Sequence, residues 1–116
     1  MAANWLQTGE VSMANPLGGI RRGWQEISAV YRAIFDGPAR VHVEFHDYTL
    51  HVTDRLFLAA GRESGTLRHA DQCIDLRIRT TRIFTLHDDG WKQLHHHGSM
   101  DNPDLLLEYQ SVLLKR

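Results

Sequence analysis

Between Val41 and Val52 the chain alternates apolar and polar residues, and part-way along the alternation changes phase. Val41, Val43 and Phe45 point one way, with His42, Glu44 and His46 opposite. The next apolar set is Tyr48, Leu50 and Val52. A strand has a side-chain period of two, so an apolar face that moves from odd to even positions needs one extra residue. The pattern predicts a β-bulge near His46 and Asp47, and a bulge bends its strand and re-aims its side chains. The sheet that contains this strand must curl.

The flanking segments supply the rest of a curved sheet. Residues 11–23 read as a short strand, a Pro-Gly-Gly turn and a short return. Trp24, Ile27, Val30, Tyr31, Ile34 and Phe35 recur at helical spacing over about three turns. Asp36-Gly37-Pro38 then stops the helix, with glycine suited to a left-handed cap and proline unable to continue. Leu56–Thr66 is a second long strand, and its unbroken apolar run Leu56–Ala60 suggests cover on both faces. A third runs from Cys73 to Leu86, and His87-Asp88-Asp89-Gly90 turns into a fourth, Trp91–Ser99. Asp101 or Asn102 can cap a last helix with Pro103 in its first turn and Leu105, Leu106, Tyr109, Val112 and Leu113 on its apolar side. The expectation is one α+β domain over residues 1–116: a curved antiparallel sheet packed on helices.

Composition narrows the function classes. A net charge of -1 argues against nucleic-acid binding. No apolar run approaches the ~20 residues that span a bilayer as a helix. The start, Met1-Ala2-Ala3-Asn4-Trp5, has no charged segment followed by an apolar one, so no signal peptide is expected. Cys73 is the only cysteine and has no internal partner, which fits a reducing, cytoplasmic compartment. A domain of 116 residues buries only about two thirds of its unfolded surface, so docking on a partner would help it.

The stretch Thr81-Arg-Ile-Phe-Thr-Leu-His-Asp-Asp-Gly-Trp-Lys-Gln-Leu-His-His-His-Gly-Ser99 carries a resemblance. A Thr-Arg-aliphatic-aromatic strand, an acidic-Gly turn, Trp and then His-x-His-x-Ser resembles the last hairpin of SnoaL-like proteins in the nuclear-transport-factor-2-like superfamily. It is most similar to the association domain of calcium/calmodulin-dependent protein kinase II and its bacterial single-domain relatives. Pro16-Leu-Gly-Gly with Arg22-Gly-Trp24 resembles the first hairpin of that family. The resemblance implies a cone-shaped, cystatin-like fold around a pocket. Such domains open with further helices that close the cone, so here the N-terminal helices should be shortened or missing.

Alternation puts Arg82 on the face of Ile78, Phe84 and Leu86, which should line the concave side. A dry, unpaired arginine there would cost several kcal/mol, so a partner acid, an anionic ligand or water is implied. The resemblance implies pocket arginines at Arg82 and at Arg62, a pair that would suit a small carboxylate. A third pocket arginine of the relatives falls at Gly98 and is absent. Tyr48 and Asp47, re-aimed by the bulge, are further candidate pocket residues. His96, on the Leu94 side, has two readings: a pocket residue that donates or accepts a proton, and a core histidine bonded to backbone. His95 and His97 share the other face, and at most two of the three histidines could bind one ion. No structural metal and no cofactor are expected. Ketosteroid isomerases share the scaffold, but their tyrosine on the opening helix has no counterpart here. Two readings stay open: a binding or assembly module, and a small isomerase, cyclase or hydratase acting on an apolar substrate. A homodimer through the outer sheet face is expected in either case.

Overall fold

The computed structural model describes residues 4–16, 18–100 and 102–113. Six strands and two helices follow in the order β1 (Ser12–Ala14), β2 (Arg21–Arg22), α1 (Trp24–Asp36), β3 (Arg40–Val52), β4 (Leu56–His69), β5 (Gln72–His87), β6 (Gly90–Ser99) and α2 (Pro103–Leu113). They form one sheet in the order β2-β1-β6-β5-β4-β3. The expected meander is β3 to β6, all antiparallel. The sheet as a whole is mixed, because β1 lies parallel to β6, with Met13 opposite His96. No described helix is long and apolar enough to cross a membrane.

The bulge falls where the phase change requires it. Pairing of β3 with β4 runs in step to His46↔Arg62 and resumes at Thr49↔Ala60. Asp47 has φ 51, the left-handed region that aspartate tolerates better than most residues. Two glycines on the inner face of β4 complete the bend. A Cβ on Gly65 would overlap the carbonyl oxygen of His42, and one on Gly61 would lie 2.7 Å from the Tyr48 Cβ. β3 can fold down over β4 only because both side chains are missing.

The helices pack on the concave side. Ile27 of α1 is fully buried with Trp5, Val11 and Met13, and Trp24, Val30 and Tyr31 pack against that cluster. Phe35 breaks the expected stripe, standing 84% exposed at the end of the helix. Gly37 is also not the left-handed cap expected. Its φ of -75 is extended, and glycine fits there because a Cβ would sit 3.0 Å from the Ala33 oxygen. Asn102 caps α2, its Oδ1 accepting from the amides of Asp104 and Leu105 at 3.0 and 3.2 Å. The alternative cap, Asp101, lies outside the described residues. Tyr109 and Val112 of α2 join Leu67, Ile74, Leu76 and Ile78 in a second core cluster.

Strand β5 shows the resulting division. Ile74, Leu76, Ile78 and Thr80 are buried, while Cys73, Asp75, Arg77 and Arg79 between them are exposed. The run Leu56–Ala60 is not covered on both faces: Ala59 is buried, and Leu56 is 37% exposed.

If the glycines set the bend, Gly65→Ala should lose roughly 1–3 kcal/mol or more in urea unfolding, as overpacking against fixed backbone does. Gly9→Ala, with nothing within 4 Å of the added Cβ, should change stability by no more than about 0.5 kcal/mol.

Candidate functional site

Between α1, α2 and the concave sheet lies a cavity of about 930 Å³. Trp24, Tyr31, Val43, Leu76 and Ile78 give it apolar walls, and the buried Glu63 with the half-buried Arg82 and His96 supply polar groups. These three come from three adjacent strands. β4 turns into β5 through Ala70 and Asp71, with His69 opposite Gln72, and counting back from that turn sets Glu63 opposite Ile78 and Ala59 opposite Arg82. Arg82 faces His96 across β5 and β6.

Glu63 is 6% exposed, and both of its oxygens are bonded. Thr80 Oγ1 donates to Oε1 at 2.8 Å, His96 Nε2 donates to the same oxygen at 3.3 Å, and Arg82 Nη2 donates to Oε2 at 3.2 Å. Arg82 also donates through Nη1 to Gln93 Oε1 at 2.7 Å, and its guanidinium carbon lies 5.6 Å from the centre of the Phe45 ring. Gln93 meets Arg82 because β6 slips by one residue between Ile83 and Phe84 in its pairing with β5.

Burial by itself would raise the Glu63 carboxyl. The His96 hydrogen bond, the Arg82 charge and the Thr80 hydroxyl outweigh it and hold the group down at about 2. His96 is shifted below its ordinary 6.5, first by burial and then by the Arg82 charge, against the opposing pull of Glu63. A neutral imidazole beside a carboxylate donates from Nε2, which leaves Nδ1 as the bare nitrogen. That Nδ1 is buried and meets no partner among the described residues. The cluster thus holds one anion, one cation and one neutral histidine.

The candidate residues read from the sequence divide. Arg82 and His96 come together at the cavity. Arg62 does not join them: its register partner is Arg79 on the exposed face, and its side chain is 54% exposed, 3.8 Å from Asp47. The two arginines are on opposite sides of the sheet because Glu63, not Arg62, has the inward phase. Asp47 is therefore drawn outward with Arg62. Tyr48 stacks on Phe45, with ring centres 5.1 Å apart, yet is 52% exposed and outside the cavity lining. His95 bonds Ser12 on the other face at 2.7 Å, and its ring centre lies 6.3 Å from that of His97. No three His, Cys, Asp or Glu side chains among the described residues gather as a metal site would require. Glu63, Thr80 and Gln93 were missed by the sequence reading, and a tight turn at Ala70-Asp71 is the signal that places the first two.

The SnoaL-like domain model matches residues 1–103. The chain belongs to the SnoaL-like family. Solved structures of similar fold include a candidate calcium/calmodulin-dependent protein kinase type II association domain from Thiobacillus denitrificans. It is 22% identical, aligned over 88% of this chain and 80% of that one, with a TM-score of 0.67. A candidate dehydratase of the NTF2-like family from Streptomyces avermitilis is 24% identical over 77% and 64% of the two chains, with a TM-score of 0.70. A candidate ketosteroid isomerase from Parabacteroides distasonis is 17% identical over 87% and 73%, with a TM-score of 0.65. No curated protein matches the sequence. At these identities the structures establish the α+β cone of this SnoaL-like domain and leave its chemistry to its own residues.

The cluster makes stability depend on pH in two steps. Below about 6.5 the unfolded chain protonates a histidine that the fold keeps neutral at His96, so stability falls as pH drops through that value. From 4.5 down to about 2 the unfolded Glu63 takes a proton that the fold refuses, and its contribution is lost progressively. That second step amounts to about 3 kcal/mol at about 1.4 kcal/mol per pH unit. Urea unfolding at a series of pH values measures both steps. Glu63→Gln should abolish the lower one and cost about 3–5 kcal/mol at neutral pH by leaving Arg82 uncompensated.

Proposed function

We propose that this SnoaL-like domain binds a small, largely apolar molecule in the cavity, with Arg82 as the anchor for its polar end. The observation that carries the reading is a buried polar cluster set among apolar walls, the common pattern of small-molecule sites. A carboxylate ligand was expected on the strength of two arginines in one cavity. With Arg62 on the outer face and Glu63 already opposite Arg82, a neutral polar end now fits better: a second carboxylate would meet Glu63 at close range. A second reading is an isomerase, cyclase or hydratase, favoured by the hydrogen-bonded Glu63–His96 pair in the cavity lining, a carboxylate and a histidine between which a proton can move.

We also propose that the domain dimerises through the outer sheet face. Leu58 and Ile83, register partners and half-buried in the single chain, give that face an apolar centre. His42, Glu44, His46, Arg77, Arg79, Thr81, His95 and His97 surround it, a composition suited to a wet interface. The arrangement supports an isologous two-fold pair.

Calorimetry and thermal unfolding with neutral aromatic alcohols and ketones, and with the matching carboxylates, test the binding reading. A neutral compound at about 100 times its Kd should add about 2.7 kcal/mol to stability. Ser28→Phe, which fills the cavity from α1, should remove the effect. Binding of carboxylates alone would overturn it. Turnover that His96→Asn abolishes while ligand affinity is kept would favour the enzyme reading.

Sedimentation tests the dimer. A dimer is expected at micromolar concentration and neutral pH. A monomer at neutral pH contradicts the interface.

A further inference from the structure

Tyr109 makes no hydrogen bond to the Glu63 cluster, yet it lines the same cavity, from α2. It is only 6% exposed, packed with Leu76, Ile78 and Val112. Its hydroxyl has no hydrogen-bonding partner among the described residues, although it is not sealed off as His96 Nδ1 is. The packed ring thus fixes a phenol at the cavity wall, with a hydroxyl that no described residue pairs.

A buried hydroxyl left unpaired costs roughly 1–3 kcal/mol, and a ligand group or a water that pairs with it recovers part of that. The chemistry of the tip fixes what the group must be. Burial, and then the Glu63 charge, push the phenol up to about 12, so near neutral pH it is an uncharged O–H donor. An anionic acceptor would sit in the field of Glu63, whose charge is already matched by Arg82. An uncharged oxygen, such as a carbonyl, accepts from Tyr109 without that repulsion.

We propose that Tyr109 is a specificity-determining residue that donates a hydrogen bond to a carbonyl oxygen on an uncharged, apolar ligand. The inference rests on the cavity-binding reading above and adds the class of ligand and the residue that selects it. Tyr109 and Arg82 approach the cavity from α2 and β5, so a ligand between them can be tied at two points.

The experiment compares 2-acetylnaphthalene, 2-ethylnaphthalene and 2-naphthoate by calorimetry on the wild-type chain and on Tyr109→Phe. The phenylalanine ring keeps the packing, and a thermal transition at least as high as wild type checks the fold. The ketone is expected to bind wild type about ten-fold more tightly than the ethyl compound, the net worth of one hydrogen bond. Tyr109→Phe should shrink that preference by about three-fold or more, the remainder being held by Arg82, while leaving the ethyl compound's affinity unchanged. Equal wild-type affinities for ketone and hydrocarbon, or a ketone preference undiminished in Tyr109→Phe, would overturn the role of Tyr109 and leave the cavity reading standing. Tightest binding by 2-naphthoate would overturn the neutral-ligand class. If none of the three binds, the cavity reading itself falls, and this inference with it.

Discussion

Burying the carboxylate of Glu63 is the constraint around which the concave face is organised. A charge this far from water is tolerated only with nearly complete pairing, and no single neighbouring strand could supply it. Thr80 and Arg82 come from β5 and His96 from β6, while Gln93 of β6 holds the far side of Arg82. The backbone of Gln93 in turn accepts from Leu6, which ties the N-terminal segment and its neighbour Trp5 to the same cluster. A one-residue slip of β4 against β5 would turn Glu63 outward and bring Arg62 in. The network therefore specifies register as well as charge.

Curvature and chemistry are coupled through the inner face of β4, where Gly61, Glu63 and Gly65 follow at alternate positions. The glycines let β3 fold over, which brings Phe45 against Arg82, and the glutamate between them neutralises that arginine. A flat sheet with the same residues would leave Glu63 and Arg82 in water, where an ion pair contributes little.

Much of this was legible in the sequence because it rests on periodicity. The phase change at Tyr48 located the bulge, the helical spacing from Trp24 located α1, and alternation in β5 put Arg82 inside. The misreadings share a cause. In Leu56–Ala60 apolar residues run without a break, so β4 offered no phase of its own, and family likeness placed Arg62 inward where turn geometry places Glu63. Gln93 was hidden for a related reason, since a slip in β6 leaves no mark in a run of polar residues. Phe35 fits a helical stripe but falls past the end of the surface that the stripe packs on. The parallel placement of β1 beside β6 depends on where the chain begins its path through the sheet, which no local pattern records.

Strand β3 is also the last strand of the sheet, so one side of its backbone has no strand beside it among the described residues. Thirteen residues of straight, unpaired strand would be a template on which another molecule could add, the first step toward fibrils. The bulge at Asp47 breaks that template in two and twists its halves out of line, and His42, Glu44 and His46 flank the break with polar groups. The residue that curls the sheet round its cavity thus also keeps one molecule from zippering onto the next, and a mutation that straightened β3 would endanger solubility before it touched the site.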